Sequence, residues 1–174
     1  SEEEKVIRDL ERLLEENEEH SRDVERKLRE SDKRLREMVK KVSDEIRKLD
    51  EEVEELLRRG TDSDRLRKVL EDILKRSKEL ADKLKKDIDK SLDEVKKLID
   101  RDDEHVKDIE KKVRELRVSE DALRRVKEAL ERSKKRLDKV LKDHEDSVRE
   151  LKKEIDDVLK RNEETVREIE KRAR

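Results

Sequence analysis

Three histidines are the chain's only imidazoles, and there is no cysteine to supply a thiolate nucleophile, a disulfide or a sulfur ligand for zinc. The stretch "SLDEVKKLIDRDDEHVKDIEKKV", Ser91 to Val113, sets Asp102 and His105 on the same helical face as its apolar residues. Three kinds of chemistry are open to such a pair. Zinc needs three or four ligands converging at about 2 Å, and His20, His105 and Asp102 form the candidate set of two imidazoles and a carboxylate. The metalloprotease spacing HExxH is absent, and an acid three residues before a histidine is a weak signal alone. A Ser–His–Asp relay could be drawn from Ser21 or Ser133, a histidine and Asp102. Hydrolysis also needs an oxyanion hole, and long regular helices spend their backbone N–H groups internally. The third possibility is a pH response: charging a buried imidazole that lacks a compensating partner destabilises a fold, so His144 should be more vulnerable than His20 or His105 beside Asp102. A single glycine leaves no Gly-rich phosphate loop. No cofactor and no catalytic residue are expected.

Residues of this kind must be positioned by helices. Two interruptions punctuate the chain. In "RRGTDSD", Gly60 can adopt the left-handed conformation that ends a helix, while Thr61, Asp62 and Ser63 offer an N-cap for the next. In "LRVSEDAL", Ser119 is the N-cap, Glu120 and Asp121 complement the helix dipole, and Val118 can staple onto Leu123. Ser1 with Glu4 makes a third start, and basic residues close every segment. The spacing predicts helices over about 2–59, 63–116 and 120–172, each roughly 80 Å long at 1.5 Å per residue.

Apolar residues recur throughout at helical spacing. One stripe of the first helix reads Ile7, Leu14, Ser21, Leu28, Leu35, Val42, Leu49, Leu56; its partner stripe passes from Met38 to Val39, Ile46 and Val53. A seam that drifts this way has a period slightly above 3.5, which implies nearly straight helices. Short loops force neighbours antiparallel. The expected fold is all-α: one domain, an antiparallel up-down-up three-helix coiled-coil bundle.

That layout gives a register. Facing residues of the first two helices should total about 122, those of the last two about 236, and the first and third should run parallel, offset by about 114. Polar residues on core positions then fall at shared heights. Ser31, Ser91 and His144 share one level with Ser147 a turn away, and Asn17, His20, Ser21, Asp102, His105 and Ser133 share another. Ser77 and Asn162 make a looser third group. On this register His144 lies roughly 15 Å up the axis from His20, which excludes three-histidine coordination. A lone polar group in such a core costs a few kcal/mol. Groups that meet satisfy one another and specify register while adding little net stability.

Composition narrows the function further. Charged residues make up 61% of the 174, near the edge at which chains stay disordered, so pattern must carry the fold. Lys plus Arg is 52 against 54 Asp plus Glu, leaving no basic excess for phosphates. Without Phe, Tyr or Trp, no platform exists for base stacking. No apolar run approaches the roughly 20 residues needed to cross a bilayer, and the acidic start is unlike a signal or transit peptide. Lipid-binding bundles and spectrin-like rods both use core aromatics and fit poorly. Neither nucleic acid nor membrane is expected as a partner. A monomer needing none is expected, with a swapped or associated dimer as the variant.

Cys, Phe, Gln, Pro, Trp and Tyr are all missing, leaving an alphabet dominated by Leu, Val, Ile, Glu, Lys, Arg, Asp and Ser. With the loops "GTDSD" and "RVSED", the capping, and Ser, Asn, His and Asp clustered on seam positions, the whole chain resembles computationally designed helical bundles with buried hydrogen-bond networks. The resemblance implies a thermostable scaffold without a natural substrate.

Overall fold

The computed structural model describes residues 2–173; Ser1, named above as an N-cap, and Arg174 lie outside them. Three helices make up the described chain: α1 (Glu2–Arg58), α2 (Ser63–Glu115) and α3 (Glu120–Arg172). Each carries acid in its first turn and base in its last, as the aligned peptide dipoles favour.

The two junctions end their helices differently. Gly60 has φ +69°, its N–H reaches the Leu57 carbonyl at 3.2 Å, and the Thr61 N–H reaches the Leu56 carbonyl at 3.3 Å. This is the double closure of a Schellman motif, which depends on a left-handed residue. The carbonyl of Asp62 then accepts from the Leu66 N–H at 2.9 Å and opens α2. At the second junction Arg117 takes the left-handed role, with φ 50°. Ser119 Oγ caps α3 by accepting from the Ala122 N–H at 3.2 Å, and Val118 and Leu123 join the same apolar cluster.

The chain divides into two compact units, one of residues 1–31 with 91–146 and one of 32–90 with 147–174. In the first, Leu13, Ile109, Val113, Val126 and Leu130 form one buried apolar cluster, and Val24, Leu28, Val95, Ile99 and Leu137 another. In the second, Leu49, Val53, Leu66, Leu70, Ile73, Val166 and Ile169 pack together. The cross-helix contacts give the topology. Ser31–Ser91 and His20–Asp102 join α1 to α2 with residue numbers totalling 122 in both pairs, so these helices are antiparallel. Ser21–Ser133 and Asp50–Asn162 join α1 to α3 at a constant separation of 112 residues, so these are parallel. In the second unit, ion pairs Lys85–Asp156 and Lys152–Asp89 join α2 to α3, numbers falling on one helix as they rise on the other. The architecture is up-down-up.

The buried stripe of α1 runs Asn17, Ser21, Val24, Leu28, Ser31, Leu35, Val39, Ser43, Ile46, Leu49, Val53. Ten steps cover 36 residues, the average repeat of an α-helix. This spacing corrects two positions in the heptad reading. Ile7 was assigned to the seam but is 54% exposed; at this end the stripe has drifted one residue back, to Leu13 in place of Leu14. Ser43 is buried where Val42, partly exposed, stood in the seam.

Candidate functional site

Eleven polar residues are buried among the described residues: Asn17, Ser21, Ser31, Ser43, Ser77, Ser91, Asp102, Ser133, His144, Ser147 and Asn162. His20 and His105, both proposed on sequence to share a level with Asp102, are half-buried.

The first unit holds the densest group. Ser21 Oγ and Ser133 Oγ are 2.5 Å apart, a hydroxyl pair joining α1 to α3. In the same part of α1, His20 Nε2 approaches Asp102 Oδ1 of α2 at 3.5 Å. The His20 ring also lies on the His105 ring, centroids 4.6 Å apart and tilted by 43°. Burial pushes the Asp102 carboxyl above its ordinary range, with His20 and His105 pulling it back and Asp103 and Asp138 adding to the rise. Asn17 is buried one turn away, its Oδ1 without a hydrogen bond inside the chain. Farther along, Ser31 and Ser91 meet at 2.8 Å, and His144 is buried in the same unit.

The second unit uses charged partners that lay outside the sequence reading. Ser147 accepts a hydrogen bond from Arg36 Nη2 at 3.1 Å, and Arg36 is itself held by Asp32 at 2.9 Å. Asn162 donates from Nδ2 to Asp50 Oδ1 at 2.5 Å. Burial raises the Asp50 carboxyl, and the Asn162 hydrogen bond opposes that rise. Ser77, grouped with Asn162 on sequence, makes no side-chain hydrogen bond, and neither does Ser43. Arg36 and Asp50 were missed because a charged residue beside the seam reads as a solvated flank. Their reach inward depends on side-chain length and not on heptad position.

His20, His105 and Asp102 therefore come together, yet their arrangement does not make a metal centre. Among the described residues no group of three or more His, Cys, Asp or Glu side chains is placed to hold an ion. His20 Nε2 stands 3.5 Å from Asp102 Oδ1, and zinc would need a third or fourth ligand converging with them at roughly 2 Å from the ion. The zinc alternative has no support in this geometry. Ser21 and Ser133, the serines drawn into a Ser–His–Asp relay on sequence, are hydrogen-bonded to each other. No described helix is long and apolar enough to cross a membrane.

Comparison with known proteins adds one positive finding. No protein-family model matches the chain, and no curated protein matches it. Among solved structures it is similar to a "Computationally designed three helix bundle", with a TM-score of 0.58 and 19% identity, over 98% of this chain and 85% of that one. The fold is a three-helix bundle. The likeness joins the two at the level of backbone architecture, with buried polar residues present in this chain at named core positions.

Proposed function

We propose that this chain is a designed structural scaffold with no natural biochemical activity, in which core Ser, Asn, His and Asp side chains fix which helix segments meet. The supporting observation is the matched polar pairs. Ser21 with Ser133, Ser31 with Ser91, and Asp50 with Asn162 are each drawn from different helices and meet within hydrogen-bond distance. A slip of one residue would separate both members of such a pair and leave each without its partner. An unpartnered buried hydroxyl costs about 1–3 kcal/mol, whereas a satisfied pair is close to neutral against an apolar replacement. Polar pairs therefore penalise wrong registers more than they stabilise the right one.

The reduced alphabet, the capping at both junctions and the similarity to a designed bundle support the same reading. On this reading the chain calls for no cofactor and no partner.

The test is a double-mutant cycle on Ser21 and Ser133 by chemical denaturation. Ser21→Val or Ser133→Val alone is expected to cost about 1–2 kcal/mol, and the double variant to recover most of that loss. Additive losses would remove the basis of the proposal.

A further inference from the structure

We infer that His20, His105 and Asp102 act as one proton-binding unit in the bundle interior, accepting a first proton readily and resisting a second. The inference rests on the geometry of these three side chains and not on the scaffold reading, so either can fail alone.

Asp102 is 2% exposed. Its Oδ1, His20 Nε2 and His105 Nε2 are all shielded from water, and none forms a hydrogen bond within the chain. At 3.5 Å the His20–Asp102 contact is an ion-pair distance, longer than a good hydrogen bond. With both rings neutral and Asp102 ionised, the group carries one uncompensated negative charge. A single proton cancels that charge whether it resides on the carboxyl or on an imidazole facing it. A second proton reverses the sign and places positive charge on rings whose centroids are 4.6 Å apart. Two like charges at that distance repel one another. The His20 side chain is 34% exposed, which gives the interior carboxylate a route to solvent protons without separating the helices.

The groups acting on Asp102 come from all three helices: His20 from α1, Asp103 and His105 from α2, and Asp138 from α3. Asp103 and Asp138 favour entry of the first proton and offset part of the second charge while they remain ionised. Because the three central groups exchange protons with one another, their titration belongs to the set and not to single residues.

The test follows the imidazole ring resonances of His20 and His105 by NMR between pH 8 and 4.5. Wild type, His105→Asn and Asp102→Asn are compared, with helical content checked by circular dichroism. In wild type each ring is expected to report two steps, the second tracking its neighbour's protonation. In His105→Asn the His20 curve should lose the step that tracks the second ring, and in Asp102→Asn its midpoint should fall. Superimposable single-step His20 curves in all three proteins would overturn the inference. If either variant fails to fold, the wild-type curves decide alone: independent one-step titration of both rings overturns it, and paired two-step titration supports it.

Discussion

At the residue scale, the buried carboxyl of Asp102 shows why a polar group in a core need not stabilise. Burial holds its folded-state value above the ordinary 3.8 of an exposed aspartate. The folded chain therefore keeps the proton to higher pH than the unfolded chain does. Asp102 is most favourable to folding below its unfolded value, and stability falls as pH rises through the folded one. At pH 7 the ionised group is a net cost. Asp102→Asn should accordingly be as stable as wild type or more so at pH 7, by about 1 kcal/mol. That advantage should vanish below about pH 4, as urea denaturation across the range will show. Asp50 follows the same sign, tempered by its hydrogen bond from Asn162. Surface pairs are a different matter. Asp23 is lowered by its hydrogen bonds to Lys27 and Arg26, but both cations are exposed and the arrangement adds little beyond solubility.

At the element scale, the junctions offer a paired comparison. Both helix ends need a left-handed residue, and only one of them has glycine. Gly60 has open space around the position a Cβ would occupy, so the cost of Gly60→Ala is backbone strain alone, about 1 kcal/mol. Arg117 already bears that strain, and Arg117→Gly should recover a comparable amount. Opposite shifts of the urea midpoint in the two variants check both statements. Gly60 was readable from the sequence because glycine is the usual left-handed residue. Arg117 was not, because an arginine near a helix end reads first as a complement to the dipole. The helices themselves were legible from periodicity and capping, to within a residue at each end. The register between α1 and α2 was legible too, because a tight turn leaves little freedom. What periodicity blurred was the phase far along α1. Ile7 and Ser43 both sit where an assumed seven-residue repeat and a true 3.6-residue turn have drifted apart. Of the polar residues, the short side chains paired with one another could be placed by height. Partners such as Arg36 and Asp50 could not, since their long or flanking side chains reach the core from outside the seam.

At the scale of the whole molecule, α1, α2 and α3 each contribute a segment to both compact units. Unfolding one unit would fray all three helices at once. Chemical denaturation is therefore expected to be a single transition, with helix content and a probe placed in either unit giving the same midpoint. Two separated transitions would mean that the units fold independently. Charges contribute less to this cooperativity than their number suggests. The near balance of 52 basic and 54 acidic residues is spread over many exposed i, i+3 and i, i+4 pairs, such as Glu55–Arg59 and Glu168–Arg172. Each is worth only a few tenths of a kcal/mol.

Cross-linking gives the most direct view of whether the interior hydroxyls meet as described, because the sequence contains no cysteine to interfere. The Oγ atoms of Ser21 and Ser133 are 2.5 Å apart and those of Ser31 and Ser91 2.8 Å, which brings their Cβ atoms near the separation a disulfide needs. Under mild oxidation, Ser21→Cys with Ser133→Cys, and Ser31→Cys with Ser91→Cys, should close within one chain almost completely. The mismatched combination of Ser31→Cys with Ser133→Cys should stay reduced. Equal or faster closure of the mismatched pair would show that the polar side chains do not set how the helices align.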